Sequence, residues 1–98
     1  MSPHVSRFRD AIRRNLHYLS DEYQVDSLGL FGSYVRGEQR PDSDLDVLVS
    51  FSRPPSLLKF MKLESFLTET LGVKVDLVSR DALRKRIGAR ILSEVVPL

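Results

Sequence analysis

GSYVRGEQRPDSDLDVLV, residues 32–49, opens with a turn and closes with a strand. In its second half, Leu45, Val47 and Val49 alternate with Asp44, Asp46 and Leu48. This period of two puts the three branched apolar residues on one face of a strand and both aspartates on the other. Gly32-Ser33 at its head closes the short apolar run Val25–Phe31, which reads as a strand ending in a tight turn. Between the two strands, Glu38 to Ser43 is polar and holds Pro41, so it is a loop.

Working outward, Val5, Phe8, Ile12, Leu16 and Leu19 recur every three or four residues and predict one helix over residues 4–22. Arg7, Arg9, Arg13 and Arg14 lie mostly off that stripe. Downstream, Pro54-Pro55 leads into Ser56, a helix N-cap. Phe60, Leu63, Leu67 and Leu71 form the stripe of the helix it opens, and Gly72 stands at the C-terminal cap position. Val73–Val78 alternates as a third strand. A last helix over residues 80–94 is marked by Leu83, Ile87, Ile91 and Val95. Three strands interleaved with helices predict an α/β or α+β layer fold, one small sheet packed against helices. Residues 1–98 are expected to form a single domain, with the motif core at about 25–78.

The chain has 98 residues, so it holds one modest core and one shallow site, with no second domain to grip a large substrate. Hydrophobic content of 42% and charged content of 29% describe an ordinary soluble globular protein. The longest unbroken apolar stretch, Leu28–Gly32, is far too short for a bilayer span or a signal peptide. With no cysteine, disulfides, zinc–thiolate sites and thiol catalysis are excluded, and a reducing cytoplasm is the expected location. Net charge is only +2, although eleven of the fifteen basic residues are arginine, the side chain suited to forked contacts with phosphate or carboxylate.

Asp44 and Asp46, two apart on a strand, place their Cα atoms roughly 6–7 Å apart on one face. Carboxylates so placed repel unless a cation lies between them. They suit Mg²⁺ or Mn²⁺ and are too few to enclose the ion, which leaves positions for water and phosphate. An isolated Asp-x-Asp is more often a strand edge kept soluble by acids. Asp76 shares its strand face with Lys74 and Val78, and it lands beside Asp44 and Asp46 if the second and third strands are neighbours. Gly32 lets the backbone approach a ligand, while Ser33 offers a hydroxyl and an amide that favour phosphate if a short helix starts there. By itself that pair is more often just a turn. Arg36 either faces phosphates or pins the loop to a carboxylate. Ser33 has no histidine or lysine base nearby, against a role as covalent nucleophile. His4 and His17 have no metal-ligand spacing, and the tyrosines read as packing or rim residues, with Tyr34 close enough in sequence to touch a nucleotide.

Gly32-Ser33, ten residues and then Asp44-x-Asp46 resembles the glycine–serine–Asp-x-Asp pattern of the DNA polymerase β-type nucleotidyltransferase superfamily. The fuller stretch from 32 to 49 is similar to its minimal nucleotidyltransferase branch, and the resemblance runs from about residue 25 to the end. Val35 and Gln39 stand where many relatives have alanine, a departure that removes no ligand. The resemblance implies a palm-like fold with a three- to four-stranded mixed sheet. It implies Asp44, Asp46 and Asp76 as metal-binding and catalytic residues, with Gly32, Ser33 and Arg36 around the nucleotide. It also implies two Mg²⁺ ions, ATP as substrate, and service as the antitoxin of a helical HEPN-domain ribonuclease toxin encoded nearby, silenced by transfer of AMP to a tyrosine.

Shortage of chain points the same way, because an acceptor held by so small an enzyme must bring its own binding surface. Two alternatives belong to other classes. One is a binding module that neutralises its partner by occlusion, without catalysis. The other is nucleic-acid binding through Arg80, Arg84, Lys85, Arg86 and Arg90, against which stand the lack of interleaved aromatics and the simpler account of a solvated helix back.

Overall fold

The computed structural model describes residues 3–86 and 89–98, with the side chains of residues 84–86 and 89–91 left aside. The chain runs α1 (Pro3–Arg14), α2 (Leu16–Tyr23), β1 (Val25–Phe31), α3 (Ser33–Arg36), β2 (Leu45–Phe51), α4 (Leu57–Leu71), β3 (Val75–Ser79), α5 (Arg80–Arg86), α6 (Ala89–Glu94) and β4 (Val96–Pro97). The four strands form one mixed sheet in the order β3-β2-β1-β4. β1 is antiparallel to both β2 and β4, while β2 and β3 are parallel, joined by the crossover helix α4. The expected α/β architecture is therefore present, with β4 as a strand that the alternation pattern did not reveal.

Leu45, Val47 and Val49 are fully buried, together with Leu30, Val75 and Leu77, against α1, α2 and α4. Phe8, Ile12, Leu19, Leu63 and Leu67 supply the helical side of that core. The second face of the sheet is also covered, over a smaller area. There Phe31 and Leu48 bury against Leu83, with Val78, Leu92 and Val95 packed around them. Leu48, on the aspartate face, is thus core rather than solvent-facing.

The expected single helix over 4–22 is two. The Asn15 side-chain amide donates to the Ala11 carbonyl at 2.8 Å, and the Asn15 backbone N–H turns to Ile12 at 2.9 Å. A short amide competing with the backbone ladder bends or breaks a helix there. The apolar stripe is broken with it: Leu16 is partly exposed, and Leu19 and Tyr23 hold the buried face. Gln24 ends α2 in the left-handed region (φ 60°), and its carbonyl accepts from the Ser52 N–H, tying the start of β1 to the end of β2.

The Ser56 hydroxyl accepts from the Lys59 N–H at 3.2 Å and caps α4, which ends at Gly72 with φ 72°. Along its length α4 covers the outer edge of β3. The Thr68 hydroxyl accepts from Val75 N–H and the Glu64 carboxylate from Leu77 N–H, at 3.1 and 2.9 Å. Those edge donors are thereby closed to pairing with another chain. The expected last helix is described as α5 and α6, and the side chains of Arg84, Lys85, Arg86 and Arg90 lie outside the described residues. No described helix is long and apolar enough to cross a membrane.

Candidate active site

The site is built where β1 ends beside β2. Phe31, the last residue of β1, is the register partner of Asp46. Gly32 then turns the chain out of the sheet with φ 81° and ψ −156°, a conformation open to glycine and strained for other residues. A Cβ at that position would overlap the Asp46 carboxylate. The absence of a side chain is therefore what lets the loop backbone lie against Asp46. The Gly32 carbonyl accepts from Val35 N–H and Arg36 N–H, at 3.1 and 3.2 Å, winding Ser33–Arg36 into the single turn of α3. Gly37, with φ 71°, closes that turn. The loop returns through a tight turn in which the Ser43 hydroxyl accepts from Arg40 N–H at 2.8 Å.

Across the parallel β2–β3 pair, Asp46 is in register with Asp76. The third carboxylate, Asp44, immediately precedes β2. Asp46 is half-buried and Asp76 exposed. Burial, then the neighbouring charges of Asp76 and Asp44, push the Asp46 carboxyl up to about 6, and the Arg36 guanidinium pulls it partly back. Like charges held together in this way favour either a proton or a cation between them. Among the described residues, no three histidine or acidic side chains converge closely enough to enclose a metal ion unaided.

Arg36 is not loose. Its Nε donates to Glu38 Oε2 at 3.1 Å, and its Nη1 lies 3.6 Å from Glu94 Oε2. The hydrogen bond to Glu38 is the main reason its pKa is raised. Tyr34, by contrast, faces the core. It is buried edge-on against Phe8, with ring centroids 5.5 Å apart, so it anchors α3 to α1 and does not line the site. Glu38 and Glu94 escaped the sequence reading. No periodicity or motif joins residue 94 to residue 36, and only the path of the chain does so. A cavity of about 430 Å³, lined by Phe51, Pro54, Pro55, Leu57 and Phe60, opens at the far end of β2 from Asp46 and takes no part in this arrangement.

A glycine turn laid on the first of two register-paired carboxylates is the sequence motif realised in three dimensions, and residues 12–97 match the family described as nucleotidyltransferase domain. The chain belongs to that family. Protein adenylyltransferase MntA of Thermococcus cleftensis is 50% identical to it over 78 residues, covering 80% of this chain and 79% of that protein. A solved structure assigned as a minimal nucleotidyltransferase superposes with a TM-score of 0.74 at 39% identity, covering 92% of each chain. The fold is shared, at 22% identity and a TM-score of 0.53, with a chain from the complex of tri-AMPylated Shewanella oneidensis HEPN toxin with MNT antitoxin. That match covers 76% of this chain and 57% of the other. The protein is thus a nucleotidyltransferase of the minimal branch, with the mixed α/β sheet of that group.

Proposed function

We propose that this nucleotidyltransferase is an antitoxin that transfers AMP from ATP to a tyrosine hydroxyl of a helical HEPN-type toxin in the cytoplasm. The observation that carries the reading is the pairing of Asp46 with Asp76 beside the Gly32 backbone. The adenylyltransferase relative at 50% identity supports the donor and the kind of acceptor. In the transfer, the acceptor oxygen forms a bond to the α-phosphorus as the bond from that phosphorus to the bridging oxygen breaks. Pyrophosphate leaves, and the hydroxyl proton passes to a carboxylate.

The donor set fits a divalent cation. Asp46 is in register with Asp76 and two residues from Asp44, all hard oxygen donors, and burial, then the charges of Asp76 and Asp44, raise its pKa. Asp44 and Asp46 would hold Mg²⁺, and Asp76 would complete one of two metal positions. When bound, the ions neutralise charge on the triphosphate and sharpen the attacking oxygen. The protein's own residues do the rest. The Gly32 backbone and the Ser33 amide and hydroxyl receive the triphosphate, and Arg36 adds positive charge at the rim. Asp76, the most open of the three acids, takes the proton of the incoming hydroxyl.

Purified protein incubated with labelled ATP, Mg²⁺ and the product of the adjacent reading frame should add one or more 5′-AMP groups to that partner. Absence of any mass shift under conditions where the two proteins bind would defeat the reading. One observation favours the occlusion alternative. Leu57, Leu58 and Met61 of α4 are 76%, 64% and 56% exposed, an apolar face of the kind that docks a partner. If Asp46→Asn still silences the toxin fully, occlusion is the mechanism.

A further inference from the structure

The Arg36 guanidinium is gripped from two directions. Glu38 belongs to the loop just after α3, whereas Glu94 ends α6. Glu38 pairs with the Arg36 Nε and Glu94 with its Nη1. Glu94 is itself held by the segment that follows it. Val95 packs over Gly29, where any Cβ would collide with it. Val96 pairs with Leu30, and Leu98 N–H donates to the Leu28 carbonyl at 3.0 Å. The closing residues are thus strapped across β1, and the strap delivers a carboxylate to the nucleotide loop. Exposed ion pairs add little to stability, so the fold has small need of this one. What a hydrogen bond from Nε to Glu38 and an ion pair from Nη1 to Glu94 do supply is a preferred direction for the planar guanidinium.

We infer that Glu94 is a positioning residue, which with Glu38 orients the Arg36 guanidinium toward the triphosphate of the nucleotide. The inference rests on the placement of ATP at Asp46 under the proposed function. A guanidinium that binds substrate and transition state alike governs affinity more than turnover. Glu94→Gln should therefore raise KM for ATP about three- to tenfold with kcat within about twofold. The Kd of ATP with Mg²⁺, measured by calorimetry on the full chain, should rise in step, with an unchanged thermal melt. In an Arg36→Ala background, Glu94→Gln should change neither constant further, since the two residues act as a unit. An unchanged KM and Kd would overturn the inference. So would a lowered KM, the sign expected if Glu94 competes with phosphate for Arg36, or additive losses in the double variant. If the wild type binds ATP with Mg²⁺ yet modifies no protein, the proposed function falls, while the Kd cycle still decides the role of Glu94.

Discussion

The Asp46 carboxylate occupies the space that a side chain on Gly32 would need. The loop can approach the acidic face of the sheet only because residue 32 has no Cβ, and its φ of 81° reinforces the requirement. Gly32→Ala should therefore combine backbone strain with a displaced Asp46, at a cost of about 1–3 kcal/mol. Loss of nucleotide binding should accompany it. A chemical denaturation series beside ATP calorimetry checks both. A variant of unchanged stability and affinity would show that the loop moves freely.

Asp46 has a pH signature whose sign follows from its pKa. Its carboxyl titrates near 3.8 when unfolded and at about 6 when folded. The folded state therefore binds the proton more tightly, and stability falls as pH rises from about 4 through 6. With solvent screening of a half-exposed group, the penalty above that window is on the order of 1 kcal/mol. Asp46→Asn should remove it: more stable than wild type at pH 7.5, equal at pH 4, and inactive in transfer. Mg²⁺ should narrow the difference at pH 7.5 by occupying the wild-type site. Parallel melts at four pH values, with and without Mg²⁺, would measure this.

Substitution of Asp76 is the test that separates chemistry from docking. It is exposed and leaves no packing behind when changed, so Asp76→Asn should fold normally and still bind the partner. AMP transfer should fall by about 10² or more, as removal of a proton-accepting group does. Pull-down and intact-mass measurement on one sample would show a persistent complex without the mass shift. Transfer at the wild-type rate would remove Asp76 from the chemistry.

Tyr34 lies inside the motif, yet its ring belongs to the core against Phe8. Tyr34→Phe should leave KM for ATP unchanged. Tyr34→Ala should cost about 3–5 kcal/mol through the cavity it opens. An altered KM in the Phe variant would place the hydroxyl at the nucleotide after all.

The elements of this fold that depend on neighbours within a few residues were legible in the chain itself. The alternation at Leu45–Val49, the Ser56 cap, the Gly72 stop and the turn at Gly32 each rest on backbone geometry or on contacts within about one turn, where residue type alone carries the signal. Asn15 shows where that reasoning weakens. The apolar stripe of residues 5–19 continues through it, and only the hydrogen bond its amide makes to Ala11 reveals the break. Leu48 likewise reads as an outward residue until Leu83 is seen to cover it.

Periodicity along β2 and β3 put Asp46 and Asp76 on polar faces but could not make the strands neighbours. That was decided by α4, whose apolar stripe packs on the sheet and carries β3 back parallel to β2, in register at Asp46 and Asp76. The placement of Glu94 beside Arg36 was decided still later in the hierarchy, by a strap that crosses β1 where Gly29 leaves room. Residue types and their local spacing thus determined which groups are available for chemistry. Their meeting at one point depends on burial of apolar surface between distant segments, a nonlocal free energy that no short stretch of sequence contains.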